Sequence, residues 1–409
     1  MRRPINLSRR QALFGAAGLG VSISFLGGVD FAAADGDLAR RKLIVIVCRG
    51  AMDGLSVTVP VGDPNYVALR RQLAIPGFGQ PGGALKIDAD FGLHPKLDAV
   101  HRMALDGQAR FAPAVATPDR ERSHFEAQDV LETGANGAYR ASSGWLNRSL
   151  QAVAPGRKVN ALAVGDETPL ILRGPIQTAS WSPGTREGGD PRLPSILLDL
   201  YKGDPLLGPA LSSGLETQST AAAVIGADPM APAGASGKDG SAQALGIGAG
   251  KLMARDGGPS VMALSIYGFD SHHGQGASEG LLANRLVVLD GTIDGLKQGL
   301  GPAWKDTVIL AVTEFGRTAR TNGTGGTDHG TASTALLAGG ALKTGGLVGD
   351  WPTLQEARLF QNRDLAPTLD MRALFKGVLG EHLGVERAAL DTKVFPDSAA
   401  VQPYRGLVA

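Results

Sequence analysis

Leu43-Ile44-Val45-Ile46-Val47-Cys48-Arg49-Gly50-Ala51-Met52-Asp53-Gly54 sets the architecture of this chain. The run from Leu43 to Cys48 is apolar without alternation and rich in β-branched residues. That is the pattern of a strand buried on both faces, as in a parallel sheet covered by helices. The run stops at Arg49-Gly50, and an acid follows. Comparable runs lie at 111–115, 159–164, 261–267, 308–313 and 335–339. Between them, apolar residues recur at helical spacing over 95–105, 125–133, 145–153, 242–254, 279–300 and 364–379. Strands alternating with helices predict an α/β fold with a mostly parallel central sheet flanked by helices. Ligands of such sheets gather beyond the carboxyl ends of the strands. Polar motifs stand at those ends: Asp53 after the first run, Ser123 after the second, Asp270 after 261–267, and Glu314 after Thr313.

The amino terminus reads as an export leader. Residues 1–11 hold four arginines and no acid, 12–29 are uncharged, and Ala32-Ala33-Ala34 offers small residues for cleavage. Ser8-Arg9-Arg10-Gln11-Ala12-Leu13 resembles the twin-arginine signal, which predicts a periplasmic or secreted protein. A membrane anchor is the competing reading of 12–29, but Gly15, Gly18, Gly20, Gly27 and Gly28 make that segment weakly apolar and a costly helix. No later segment reads as a membrane span, so none is expected once 1–34 are removed. Taking Arg2, Arg3, Arg9, Arg10 and Asp30 from 40 basic and 39 acidic residues leaves a net charge near −2. That balance gives no electrostatic reason to bind nucleic acid. The single cysteine, Cys48, sits in an apolar run and reads as a small buried hydrophobe. Residues 35–409 suffice for one large domain. Its segment 203–241, rich in Gly, Ala, Pro and Ser, reads as an insertion or cap.

Four of the seven histidines fall in three short motifs. Carboxylate and imidazole at short spacing are the usual ligands of a divalent metal. In Gly268-Phe269-Asp270-Ser271-His272-His273, an extended chain puts His272 on the face of Asp270, whereas a tight turn favours His273. The bland alternative is an Asp-Ser turn followed by solvated histidines. In Thr327-Asp328-His329-Gly330, Asp328 is either a ligand or a hydrogen-bonding partner that orients an imidazole. Glu314 in Thr313-Glu314-Phe315-Gly316-Arg317 either binds metal or pairs with Arg317, and Arg317 suits a bidentate oxyanion. Asp53 is a ligand or a plain Asp-Gly turn. Ser123, with Glu126 three residues on, matches a capping box, yet a hydroxyl at a helix amino terminus also suits a nucleophile or phosphate contact. Gly246 to Lys251 looks faintly like a phosphate loop but reads helical. His94, His101 and His382 read as structural.

Together the leader, Arg49-Gly50-Ala51-Met52-Asp53-Gly54, Arg122-Ser123-His124-Phe125-Glu126, Gly268 to His273, Thr313 to Arg317 and Asp328-His329-Gly330 resemble the exported bacterial domain of unknown function 1501 family. That family in turn resembles the alkaline phosphatase and sulfatase superfamily. The resemblance implies an alkaline-phosphatase-like fold and a hydrolase of phosphate or sulfate esters that uses one or two divalent ions (zinc, manganese or iron). It implies a first site from Asp270, His272 or His273, and His329, with Ser123 as nucleophile and Arg317 as oxyanion clamp. A second site would use Asp53 and Glu314, with His124 or Asp328 as substitutes, because Phe315 stands where a histidine is expected. The alternative is a non-catalytic exported binding or assembly protein with at most one structural metal. The substrate is not legible.

Overall fold

In a computed structural model, the described residues are 40–153, 161–164, 168–176, 178–181, 193–204, 207–208, 211–212, 215 and 239–409. The leader reading and most of the 203–241 segment lie outside them. Among the described residues runs an eight-stranded sheet. Its strands are β1 (Lys42–Arg49), β2 (Ala109–Ala116), β3 (Ala161–Val164), β4 (Thr178–Trp181), β5 (Val261–Tyr267), β6 (Thr307–Val312), β7 (Ser333–Ala338) and β8 (Leu369–Asp370). The spatial order is β8-β2-β7-β6-β1-β5-β3-β4. β1 lies at the centre, parallel to both β5 and β6, while β7 alone runs antiparallel to its neighbours β6 and β2. The α/β fold with a mostly parallel sheet is therefore present.

The first strand shows why its sequence does not alternate. Leu43, Val45 and Val47 point into one core with Trp145, Leu150, Phe375 and Phe395. Ile44, Ile46 and Cys48 point into another with Met253, Leu286, Leu289 and Ile293. Both faces are buried, and each of the larger apolar side chains contributes roughly 1.5–3 kcal/mol. Helices on the two faces of the sheet include α1 (Asp98–Leu105), α2 (His124–Thr133), α3 (Trp145–Ala152), α4 (Asp239–Ala254), α5 (Leu281–Leu300) and α6 (Met371–Leu383). α2, α3 and α6 cover the first core, and α1, α4 and α5 the second. The helix expected from residue 364 starts at Met371 instead, because Asp370 caps it by accepting the Arg372 N–H while residues 369–370 form β8.

The segment that mimics a phosphate loop is the middle of α4 and serves packing. A Cβ on Gly246 would lie 2.4 Å from the Thr292 carbonyl, and one on Gly295 2.1 Å from that of Gln243. Gly250 and Gly299 repeat the contact a turn further along, so these glycines let α4 and α5 cross backbone to backbone. The three histidines read as structural donate to backbone carbonyls: His94 Nε2 lies 2.9 Å from that of Ala277, His101 Nε2 2.9 Å from that of Lys86 and His382 Nε2 3.0 Å from that of Lys42. Among the described residues no helix is long and apolar enough to cross a membrane.

Candidate metal centre

The carboxyl ends of β1, β5 and β6, with the glycine loop that leads into β7, meet at one place. Gly50 follows β1 at φ +111°, and a Cβ there would sit 2.5 Å from the Asp270 nitrogen, so glycine is what lets the β1 and β5 turns touch. After β2 the chain turns through Arg122 at φ 57° into an extended Ser123, and α2 begins with His124. These turns bring together His124, Asp270, His272, Asp328 and His329.

His124, Asp270 and His329 each offer a ligand atom within 4.8 Å of the others. The rings of His124 and His272 lie 4.5 and 4.7 Å from that of His329, centroid to centroid. The Nε2 atoms of His272, His329 and His124 are 3.1, 3.5 and 3.6 Å from the Asp270 carboxylate. The opposite nitrogen of each ring is held by an acceptor. Nδ1 of His124 is 2.8 Å from Glu314 Oε1, Nδ1 of His329 is 2.9 Å from the Arg122 carbonyl, and Nδ1 of His272 is 3.3 Å from Asp328 Oδ1. A carbonyl or carboxylate accepts only, so each Nδ1 carries a proton, and in the neutral ring the lone pair is then on Nε2. This is how proteins orient metal-binding histidines.

Two details indicate that the cluster fits a cation. Nε2 of His272 and Nε2 of His329 face each other at 3.0 Å, and two lone pairs at that distance repel unless a proton or cation lies between. Nε2 of His124 is buried with no hydrogen-bond partner. Burial lowers the pKa of His329, outweighing the bond to the Arg122 carbonyl, which raises it. The hydrogen bond to Glu314 raises that of His124, outweighing burial. Burial pushes Asp270 upward, but the Arg317 guanidinium and then His272 hold its carboxyl below the usual range. The Asp270 side chain is 46% exposed and that of His272 34%, so the cluster opens to solvent.

A model of the family described as "Protein of unknown function (DUF1501)" matches residues 40–394. The chain belongs to that family. No curated protein matches it. Solved structures similar to this DUF1501 chain include Ps i-CgsB bound to k-i-k-neocarrahexaose, at 10% identity and TM-score 0.40 over 89% of this chain and 77% of that one. The phosphonate monoester hydrolase of Agrobacterium radiobacter has 12% identity and TM-score 0.39 over 85% and 74%. The alkaline phosphatase of the Antarctic bacterium TAB5 has 9% and 0.36 over 75% and 93%.

The DUF1501 site differs from the sequence expectation at several residues. His273 is exposed and outside the cluster; His272 is the ring that turns inward, to Asp270. Arg317, expected as an oxyanion clamp, has its guanidinium engaged within the fold. It is buried, and its guanidinium donates to the carbonyls of Ala51, Thr327, Gly50 and Phe269 and to Asp270, pinning the strand-end loops to one another. Glu314 does not reach the cluster as a ligand: its Oε1 accepts from Gly50 N–H, His124 and Gln128. Burial raises the pKa of Glu314, but the hydrogen bonds from His124, the backbone and Gln128 outweigh it and keep the group ionised. Asp53 is enclosed by Arg70, Ser56 and Gln275. Phe315 lies against His124 and His329, each ring centroid 5.0 Å away, as an apolar wall. Ser123 Oγ donates to the Glu126 carboxylate and accepts no hydrogen bond from a helix N–H.

Residues that the sequence did not single out hold this arrangement. Arg122 supplies its carbonyl to His329 while its side chain pairs with the buried Asp364. Asn322 donates to Asp328 at 3.1 Å, the main cause of that carboxyl's lowered pKa. Arg122 stood inside a quoted motif, but a backbone acceptor leaves no compositional signal.

Proposed function

We propose that this protein is an exported metal-dependent hydrolase of phosphate or sulfate esters that works with one divalent ion. The observation that carries the proposal is the set of imidazoles whose Nδ1 atoms are each held by an acceptor and whose Nε2 atoms turn toward one solvent-accessible carboxylate. Structural metal sites are closed, whereas catalytic ones keep an open position. Asp270 and His329 would hold the ion with His124 and His272 beside them. A bound zinc, manganese or iron ion supplies positive charge that polarises an ester oxygen and acidifies water.

The chain's own groups do the rest. Glu314 and Asp328 fix the ring orientations and keep Nε2 basic. Arg317 holds the Asp270 carboxylate in place from below. Ser123, beside His124 at the start of α2, is the nucleophile in this proposal, and Glu126, which accepts a hydrogen bond from its hydroxyl, is the base. The periplasmic location rests on the twin-arginine leader alone.

One observation favours a second reading, a non-catalytic exported binder. Arg317 spends its donors internally and Phe315 walls the cluster, so neither is free to hold an oxyanion. Metal analysis combined with turnover of aryl phosphate and aryl sulfate separates the two. The hydrolase proposal expects about one ion per chain and turnover abolished in Asp270→Asn and His329→Ala and reduced at least tenfold in Ser123→Ala. A metal-loaded protein that turns over neither ester class is the binder. A protein that takes up no divalent ion is not the hydrolase proposed here.

A further inference from the structure

Asp53 lies beneath the cluster and is fully buried, and so is Arg70, which pairs with it. Arg70 comes from the short helix Tyr66–Arg70, where nothing in the sequence pattern marks it as part of a site. Its Nη2 donates to Asp53 Oδ2 and, at 3.0 Å, to Ser56 Oγ, and its Nη1 donates to the Thr318 carbonyl at 3.2 Å. The same Oδ2 accepts from Ser56 Oγ at 2.9 Å and from Gln275 Nε2 at 2.6 Å. Gln275 Oε1 in turn accepts from Ser271 Oγ at 2.9 Å and Thr327 Oγ1 at 2.7 Å. Ser271 stands between Asp270 and His272, and Thr327 precedes Asp328-His329. The ion pair is thus wired to both loops that carry the cluster.

A carboxylate buried in this way needs a positive partner. Three donors already fill Oδ2. Oδ1 has no hydrogen-bond partner, yet no His, Cys, Asp or Glu pair among the described residues gathers with it as His329 and His124 gather with Asp270. Glu314, the other acid expected nearby, is committed to His124, Gln128 and Gly50. A second metal ion does not fit these residues.

We infer that the Arg70 guanidinium is a built-in cation that replaces a second metal ion at Asp53, making this a one-ion protein whose ligand loops are set from below through Gln275. The inference rests on the one-ion proposal for the cluster above it. It commits Asp53 and Arg70 to positioning and gives them no contact with substrate.

The test is metal stoichiometry by native mass spectrometry on full-length protein equilibrated with zinc or manganese. Wild type should bind one ion, Asp53→Asn should still bind one, and His329→Ala should bind none. Arg70→Met leaves the carboxylate without its cation, so it should either take up an additional ion or melt earlier than wild type. The paired variant Asp53→Asn/Arg70→Met, which removes both charges, should fold and bind one ion. Two ions in wild type, with one lost in Asp53→Asn, would overturn the inference while leaving the cluster proposal intact. Unchanged melting and stoichiometry in Arg70→Met would also overturn it. No ion in wild type would instead remove the cluster proposal on which it stands.

Discussion

Replacing Glu314 by glutamine tests whether the imidazoles are oriented for a metal or are merely well packed. In the folded protein Glu314 Oε1 accepts from the Gly50 N–H at 2.9 Å, His124 Nδ1 at 2.8 Å and Gln128 Nε2 at 3.1 Å, and Oε2 faces Thr313 Oγ1 at 3.0 Å. An amide oxygen can keep the Oε1 contacts. The amide nitrogen can donate to Thr313, whose hydroxyl already has the Cys48 carbonyl at 2.7 Å as an acceptor. Geometry is therefore largely conserved and the charge is lost, at a stability cost of about 1 kcal/mol. Removing a carboxylate that backs a metal-bound imidazole typically lowers affinity about 10–100-fold, or roughly 1.4–2.7 kcal/mol. Glu314→Ala acts differently. It strands the Gly50, His124 and Gln128 donors in a buried place and should cost on the order of 3 kcal/mol of stability. The assay is competition for zinc against a chelator of known affinity, alongside denaturant unfolding of the metal-free protein. If Glu314→Gln binds zinc as tightly as wild type, the carboxylate does not back a ligand and the orientation argument for His124 is wrong.

Further outcomes follow from other parts of the molecule. In the same competition assay His272→Ala should lose at least tenfold in affinity while His273→Ala stays at the wild-type value; the reverse result would move the ligand to the exposed ring. Gly295→Leu should push α5 off α4, because even a Cβ there would lie 2.1 Å from the Gln243 carbonyl. We expect a loss of about 1–3 kcal/mol or more in denaturant unfolding, and an unchanged midpoint would mean the helices do not cross so closely. Burial lowers the pKa of His382, and that of His94, to about 4. Each is thus kept neutral in the fold, so each contributes stability that is present above the unfolded value near 6.5 and is lost as pH falls through 4, up to roughly 3 kcal/mol apiece. Metal-free unfolding between pH 7 and 4 should show this slope, and His382→Gln should flatten it; a variant with the wild-type slope would place the pH dependence elsewhere.

β1, β2, β5, β6 and β7 were legible because burial on both faces writes an unbroken apolar run, which needs no partner to be recognised, and the four-residue β3 lies in an apolar run of its own. β4 and β8 were not, since Thr178-Ala179-Ser180-Trp181 is no apolar run and β8 has only two residues. The direction of β7 was also hidden, because Ala335 to Ala338 reads the same in either orientation and only its pairing with β2 and β6 decides it. At the site, the residue types were visible and their division of labour was not. Asp270, His272 and His329 announce themselves as donors. Whether Arg317 meets an oxyanion or four carbonyls depends on loops from distant strands, and that Asp53 meets Arg70 depends on a helix with no motif.

The Glu314-Phe315 pair at the end of β6 shows how such a division can work with one ion. In a parallel sheet the residue at a strand end is half supported by neighbours and half free to face a ligand. Here Glu314, fully buried, gives its charge to the back of the His124 ring. Phe315, the next residue, lies against His124 and His329 and keeps water from that side of the cluster. A drier wall strengthens the attraction between Asp270 and any cation, because charges interact more strongly where water cannot screen them. The strand end that lacks a second ligand pair thus supplies support for the first one: Glu314 through its hydrogen bond to His124, and Phe315 through exclusion of solvent. On this argument Phe315→His should add no ion by itself, since Arg70 already satisfies Asp53. It should instead weaken the first ion by wetting its wall, which the chelator competition would register as a loss of affinity at unchanged stoichiometry.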